Sequence, residues 1–117
     1  MSVSTKINYI ELAAADLDAA ELFYAQTFGW TFTDYGPDYR AFNDGETDGG
    51  FYRAPLKSDA GSGAALVVLY TDQLEQVRDA VVENGGTVVK EIFAFPGGRR
   101  FHFADPNGNE LAVWSEG

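Results

Sequence analysis

Residues 7–30, INYIELAAADLDAAELFYAQTFGW, have the pattern of a β-strand followed directly by a capped α-helix. Residues 7–13 are short, apolar and rich in β-favouring side chains, which predicts a strand. Asp16 suits the N-cap position, because its carboxylate can accept from the free backbone N–H groups of the first turn. Apolar side chains then recur at helical spacing, and Gly29 provides a stop that tolerates left-handed backbone geometry.

Three further strands are predicted after this helix, and the same order then occurs again in the second half. Asp72 followed by Glu75 resembles a capping box for a second helix, which ends at Gly85. Asp16 and Asp72 lie 56 positions apart, as do Gly29 and Gly85, which predicts two tandem βαβββ modules. The alternative is an α+β sandwich whose helices are equally spaced without a repeat. The other strands are predicted over 30–35, 39–43, 50–53, 64–70, 87–93, 99–104 and 110–114.

The whole chain of 117 residues suits a single α+β domain. Within it, module 1 is predicted over about residues 6–55 and module 2 over about residues 64–115. Residues 56–63 lie between the modules and contain LKSDAGSG. Their Gly and Ser content predicts a flexible linker.

Composition excludes several classes of partner and chemistry. Eighteen acidic and eight basic residues give a net charge of -10, which repels phosphate backbones and anionic lipid heads. We therefore expect neither nucleic acid nor a membrane as a partner. The chain has no Cys, which excludes disulfides, thiolate catalysis and Cys-bound zinc. The first residues lack the apolar stretch of a signal peptide, so a cytoplasmic location is predicted.

Several motifs, taken in order, resemble the vicinal oxygen chelate superfamily over nearly the whole chain. That superfamily includes glyoxalase I, bleomycin-resistance proteins, fosfomycin-resistance enzymes and extradiol dioxygenases; the sequence is most similar to a bacterial branch described as related to lactoylglutathione lyase. The resemblance implies a strongly curved eight-stranded sheet with a concave ligand cavity, outer helices and a homodimer. The motifs are INYIEL at 7–12, DLDAA at 16–20, FGW at 28–30, GGFY at 49–52, NGG at 84–86 and DPNGNEL at 105–111, followed by Trp114.

The same resemblance implies where the metal ligands of the family would lie. Three of those positions fall on Tyr9, Leu66 and Ala112, and the fourth falls near Phe42 or Asn43. Leu and Ala have no donor atom, and a Tyr phenol with a pKa near 10 ligates only as a phenolate. The chain has one His, so a site of two His and one carboxylate is excluded within one chain. We therefore predict that the usual metal, and any other cofactor, is absent.

Strand alternation predicts which side chains line the cavity, since residues two apart share a face. If Tyr9 faces inward, Ile7 and Glu11 do so too, whereas Ile10 and Leu12 pack beneath the helix. This set has the aromatic, aliphatic and sparsely polar character of a small-molecule pocket. The predicted ligand-binding residues are Tyr9, Glu11, Leu66, Tyr70, Arg100, His102, Ala112 and Trp114.

Three functions remain open from the sequence. The first is a metal-free protein that binds a small apolar or aromatic molecule. The second is a lyase or isomerase with an atypical site at Glu11, His102 and Glu110, although His102 between two Phe residues also suits a structural role. The third is an accessory interaction domain. The roles of Arg99 and Arg100 are also open, since they could hold a ligand carboxylate or pair with neighbouring carboxylates of the chain itself.

Overall fold

The computed structural model describes residues 2–117 and places eight strands and two α-helices in the predicted order. No helix among these residues is both long and apolar enough to cross a membrane. The first module contains β1 (Tyr9–Ala14), α1 (Leu17–Phe28), β2 (Thr31–Asp34), β3 (Tyr39–Asn43) and β4 (Asp48–Arg53). The second contains β5 (Val67–Tyr70), α2 (Leu74–Glu83), β6 (Thr87–Phe95), β7 (Gly98–Ala104) and β8 (Glu110–Ser115).

The strands confirm two βαβββ modules and form two four-stranded sheets of matching topology. Strand order is β1-β4-β3-β2 in module 1 and β5-β8-β7-β6 in module 2. The first strand of each module runs parallel to the last one, and the other pairs are antiparallel. The eight strands expected of one curved sheet are therefore divided, within one chain, into two sheets whose described residues share no ladder.

The two helices begin differently. Asp16 caps α1 as predicted, because its carboxylate accepts from the backbone N–H of Ala19 at 3.0 Å. The prediction of Asp72 as the second cap is wrong: the N-cap is Gln73, and its side chain makes no capping hydrogen bond. Instead, the hydroxyl of Thr71 accepts from the backbone N–H of Gln73 at 3.0 Å. Helix α1 starts at Leu17 and α2 at Leu74, so the helix starts repeat at 57 positions.

One apolar core joins the helices to the inner side of both sheets. Tyr24 of α1 stacks on Trp30 with ring centroids 4.8 Å apart, and Trp30 stacks on Phe42 at 4.6 Å. Phe23 of the same helix contacts Phe103 of module 2 at 5.8 Å. The opposite side of each sheet faces away from this core. We call these two surfaces the module 1 open face and the module 2 open face.

The hairpin turn between β7 and β8 fastens module 2 to module 1. The Asn109 amide donates to the carbonyl of Ala13 at 2.7 Å, and the Tyr24 hydroxyl donates to Asp105 at 2.8 Å. Burial, followed by the neighbouring Asp105 charge, raises the pKa of Tyr24. Burial likewise raises the pKa of Asp105, against the opposing effect of four hydrogen bonds that it accepts. The turn therefore acts as a polar link inside an otherwise apolar junction.

The segment predicted as a flexible linker has a defined conformation. It contains a 3-10 turn, Ala60–Ser62, capped by the Asp59 side chain. Its Ser58 carbonyl accepts from the backbone N–H of Glu110 at 2.7 Å, and its Ala60 N–H donates to the Glu110 carboxylate at 3.1 Å. The connection thus lies along the start of β8 on module 2.

Candidate functional site

The residues predicted to line one cavity lie on two open faces of the chain. Tyr9 and Glu11 occupy the module 1 open face, because they pair in register with Asp48 and Gly50 of β4. The residues of the second group share the module 2 open face through the β5–β8–β7 ladder, and they are Tyr70, Arg100, His102, Ala112 and Trp114. Within residues 2–117, no hydrogen bond joins the two groups.

Two positions of the predicted set lie outside the strands that were expected to hold them. β1 begins at Tyr9, so Ile7 precedes the strand and is almost fully exposed. β5 begins at Val67, so Leu66 is the last residue before the strand. Both predicted strands were too long at their N-terminal ends, where apolar sequence continues but ladder pairing does not. Ile10 and Leu12 do pack in the core beneath the helix, as predicted.

A tyrosine–carboxylate chain occupies the module 1 open face. The hydroxyl groups of Tyr9 and Tyr39 are 2.6 Å apart, and Tyr39 donates to Glu11 at 3.0 Å. Burial, and then the hydrogen bonds to Tyr9 and Glu11, raise the pKa of the Tyr39 phenol well above its ordinary value. The Tyr39 ring lies over Gly50, where any Cβ would collide with it. A cleft of about 410 Å³ lies beside Tyr9 on this face.

Sequence reasoning missed Tyr39. Tyr39 alternates with Ala41 and Asn43 in β3, which predicts that the three side chains share one face of the strand. The sequence alone did not indicate whether that face points toward the helices or away from them. Register with β4 resolves the question, because Ala41 lies opposite Gly50 and therefore shares its face.

A histidine–carboxylate pair is buried on the module 2 open face. Nδ1 of His102 lies 2.8 Å from Oε2 of Glu110, and the two side chains are only 3% and 11% exposed. The hydrogen bond to His102 lowers the pKa of Glu110, against the opposing effect of burial. Since a carboxylate can only accept, Nδ1 carries the proton that it donates. Nε2 of His102 is buried and has no partner among residues 2–117.

The adjacent residues Arg99 and Arg100 point to opposite sides of β7. Arg99 lies on the helix side and donates to Glu75 of α2 at 2.6 Å, which is the ion pairing that the sequence left open. Arg100 lies on the open face, with its guanidinium carbon 5.4 Å from the Phe93 ring centroid and 5.7 Å from that of Phe95. No carboxylate in the described part of the chain forms an ion pair with Arg100.

An aromatic cleft of about 230 Å³ lies beside Arg100 on the same face. Trp114 meets Tyr70 edge to face at 5.0 Å and Phe95 at 6.1 Å between ring centroids. Phe93 and Phe95 were missed because the ladder between β6 and β7 shifts register between Val88 and Phe93, so alternation cannot be counted through this strand. The lining residues are Val68, Phe95, Gly97, Arg100 and Trp114.

The strand registers also locate the fourth position implied for a metal ligand. Ala112 pairs with Val68 of β5 as Gly50 pairs with Glu11 of β1, so Gly50 is the module 1 counterpart of Ala112. This correspondence favours Gly50 over the predicted Phe42 or Asn43 for the fourth position. Phe42 is buried in the core on the helix side, and Asn43 is hydrogen-bonded to Asp48.

The residues at these four positions do not fit the metal of the family. Gly50, Leu66 and Ala112 offer no donor atom, and the Tyr9 hydroxyl is already hydrogen-bonded to Tyr39. Lewis-acid sites of this kind use imidazole and carboxylate ligands. The described residues contain no group of three or more His, Asp or Glu side chains placed to hold a metal ion.

Comparison with known proteins gives a consistent family. A family profile named the Glyoxalase/Bleomycin resistance protein/Dioxygenase superfamily matches residues 6–113. A curated relative, "Putative glyoxylase CFP32" of Mycobacterium tuberculosis, is 29% identical in an alignment covering 92% of this chain and 44% of the relative. The same result holds for the Mycobacterium bovis protein of that name. The chain thus spans less than half the length of these curated relatives.

Solved structures are similar across almost the entire chain. A glyoxalase-related enzyme from Fulvimarina pelagi superposes with a TM-score of 0.80 at 17% identity, covering 96% of this chain and 88% of that one. The fosfomycin resistance protein FosX from Listeria monocytogenes gives 0.80 at 12% identity, with coverages of 97% and 94%. Lactoylglutathione lyase from Agrobacterium tumefaciens gives 0.73 at 22% identity, with coverages of 97% and 96%. At these identities the similarity concerns the fold alone.

Proposed function

Since the chain belongs to the Glyoxalase/Bleomycin resistance protein/Dioxygenase superfamily, we propose that it binds a small aromatic or apolar molecule without the usual family metal. The observation that carries this proposal is the aromatic cleft at Trp114 and Phe95 on the module 2 open face. It lies on the same face as Ala112, where the resemblance implies a metal ligand and the side chain has no donor. Binding would then depend on stacking and burial of apolar area.

The lining of the cleft supports an aromatic ligand. Tyr and Trp offer large, rigid apolar surfaces together with a polar edge, and aromatic pairs gain about 1 kcal/mol beyond the area they bury. Trp114 and Tyr70 are partly exposed here, so a planar ligand could cover them. Small-molecule sites have this composition of aromatic walls with few polar groups.

A homodimer is the second part of the proposal. The cleft of about 230 Å³ is smaller than the roughly 300–1,000 Å³ of typical ligand pockets, so one chain provides only part of a wall. β1 and β5 each pair on one side only, which leaves edge groups free for a second copy. Opposed charges suit such pairing, since Glu11 and Asp48 lie on the module 1 open face and Lys90 lies on the module 2 open face.

Light scattering of the purified chain tests the dimer. The proposal expects a mass close to twice the 12.7 kDa of one chain. A mass of one chain at concentrations used for binding would contradict it. A dimer in which the edge amides of β1 and β5 still exchange freely with solvent would contradict the pairing of those strands.

Ligand binding is tested with indole, a neutral aromatic probe, by titrating ¹⁵N-labelled protein. We expect shifts at backbone amides of Val68, Phe95 and Trp114, and about tenfold weaker binding by Trp114→Ala. Leu22→Ala is the control, because Leu22 is an exposed apolar residue on α1, away from both open faces. Absence of shifts at these amides would overturn the proposal.

The metal-free character has a separate test. Indole affinity is expected to be the same before and after dialysis against a chelator, and metal analysis of the untreated protein is expected to show far less than one ion per chain. One tightly held ion per chain, located on an open face by anomalous scattering, would overturn this part.

A second candidate function is a lyase or isomerase reaction at His102. The observation that favours it is the bond between Nδ1 and Glu110, which orients the ring and leaves Nε2 free of partners, as in a general base. Glu11, the third residue of the predicted set, lies on the other open face, so one chain does not bring all three together. This function predicts lactoylglutathione lyase activity that His102→Gln abolishes while the fold is retained. Equal turnover by both proteins would exclude it.

A further inference from the structure

Arg100 stands apart from the other arginines of this acidic chain. The chain has five arginines and eighteen acidic residues. Four of those arginines form ion pairs with a carboxylate, and they are Arg40, Arg53, Arg78 and Arg99. Arg100 forms none within residues 2–117, although carboxylates outnumber cations throughout the sequence. A cation kept free of carboxylates in such a chain is available to an external anion.

The contacts of Arg100 leave its donors unused. The guanidinium lies over the rings of Phe93 and Phe95, so its flat face is engaged by cation–π contact. Guanidinium N–H groups lie in the plane of the group and point away from its faces. The Nε atom is buried and has no hydrogen-bond partner in the described chain. Stacking therefore holds the side chain in place while its N–H fork stays free.

Aromatic side chains surround the place where a bound anion would lie. Arg100 lines the same cleft as Phe95 and Trp114, so a planar group against these rings would have its edge near the guanidinium. Two carboxylates near this face are already engaged. Glu110 accepts from His102 and from the Ala60 backbone, and Glu116 accepts from the Tyr70 hydroxyl. Neither forms an ion pair with Arg100.

Resting on the proposed function, we propose that the ligand is a planar aromatic carboxylate. Its ring packs on Trp114 and Phe95, and its carboxylate accepts a pair of hydrogen bonds from the Arg100 fork. The net charge of -10 does not prevent this, because charges farther than the Debye length of about 10 Å are screened at 0.1 M salt. Lys90, which shares the face through its pairing with His102, adds positive potential.

The experiment compares two probes of the same shape, indole-3-carboxylate and its neutral amide, by calorimetry. The unmodified protein is expected to bind the carboxylate about tenfold more tightly than the amide, as one charge-assisted interaction provides. Arg100→Gln is expected to remove this preference, so that the carboxylate and the amide bind with equal affinity. Arg99→Gln is the matched control, because it removes the neighbouring guanidinium on the helix side and is expected to keep the preference.

The outcomes separate the two proposals. Equal affinity of the unmodified protein for both probes would overturn the carboxylate inference while supporting an aromatic site. Binding of neither probe would overturn the proposed function as well. Arg100→Lys keeps the charge without the fork, and it is expected to bind the carboxylate more weakly, and with a smaller preference over the amide, than the unmodified protein. Unchanged carboxylate affinity in Arg100→Lys would overturn recognition by the paired N–H groups, even if Arg100→Gln failed to fold.

Discussion

The hairpin turns that precede the last strand of each module occupy equivalent places but make different contacts. In module 2, Asn107 accepts from the backbone N–H of Asp16 at 2.9 Å and Asn109 donates to Ala13, so the turn is bonded to the other module. In module 1, the Asp44 side chain accepts from the backbone N–H groups of Glu46 and Thr47 in its own turn, and no hydrogen bond within residues 2–117 joins it to module 2. A cleft of about 430 Å³ lies between Asp44 and the module 2 residues next to it. The two modules thus share a topology, but of these two turns the module 2 turn is the one that is hydrogen-bonded to the other module.

The open faces differ in chemistry as clearly as the turns differ in contacts. Module 1 presents tyrosine hydroxyls and the Glu11 carboxylate, whereas module 2 presents Arg100, Trp114 and the buried His102–Glu110 pair. The helix-facing residues of both modules enter one common core. Packing against the helices therefore accounts for the shared architecture, and the open faces can carry different ligand chemistry.

The largest expected effect comes from removing the link that fastens the modules. Asn109 is fully buried, and Asn109→Ala leaves the buried Ala13 carbonyl and the partly buried Ser58 N–H without their partners. We expect a loss of about 3 kcal/mol in the free energy of unfolding, measured by urea denaturation. In module 1, Asn43→Ala removes bonds within an exposed turn and is expected to cost less than about 1 kcal/mol. Equal losses would contradict the asymmetry of the two junctions.

The next effect concerns the buried pair on the module 2 open face. Glu110→Gln replaces a charge-assisted hydrogen bond to His102 by a neutral one, which is expected to cost about 1.5 kcal/mol at pH 7. Because the folded pKa of Glu110 is lowered, its carboxylate stabilises the fold above its ordinary pKa near 4.3, and this contribution is lost as the pH falls through the folded value.

The measurement for that pair is the unfolding free energy of both proteins between pH 7 and pH 3. The difference between them is expected to shrink as the pH falls below about 4.3, where Glu110 of the unfolded chain takes up a proton, and to disappear once the pH has passed the lowered folded pKa. Glu11→Gln is the matched variant on the module 1 open face, where the carboxylate is exposed and bonded to a tyrosine, and it is expected to show a smaller difference. A difference for Glu110→Gln that stays constant to pH 3 would contradict the assignment.

The smallest effect compares the two helix starts. Asp16→Ala removes the side-chain cap of α1 and is expected to cost about 1 kcal/mol of unfolding free energy. Gln73→Ala at the start of α2 removes no capping hydrogen bond and is expected to stay within about 0.5 kcal/mol of the original chain. Thermal unfolding of both variants measures the difference. Equal destabilisation would show that Gln73 contributes to its helix in some other way.

Local signals explain how much of the fold could be predicted. Asp16 and Gly29 bound α1 because a cap and a left-handed glycine act within one turn of the chain. The Asp72 prediction was wrong because Asp, a residue type that often caps helices, lies one position before the actual N-cap, Gln73. The Thr71 hydroxyl accepts the hydrogen bond from the Gln73 backbone N–H there. Register, in contrast, depends on a partner strand, which is why Tyr39 and the pair of Phe93 and Phe95 were not found.

Taken alone, the sequence determined the two βαβββ modules, the superfamily, and the absence of donor atoms at Leu66 and Ala112, because these depend on residue type and local spacing. Only the tertiary structure decided that Arg99 pairs with Glu75 and that Arg100 has no ion pair within residues 2–117. It also decided that the predicted cavity residues lie on two open faces of one chain. The physical reason is that side-chain neighbours across a sheet follow from strand pairing between distant segments, which no local pattern of the chain specifies.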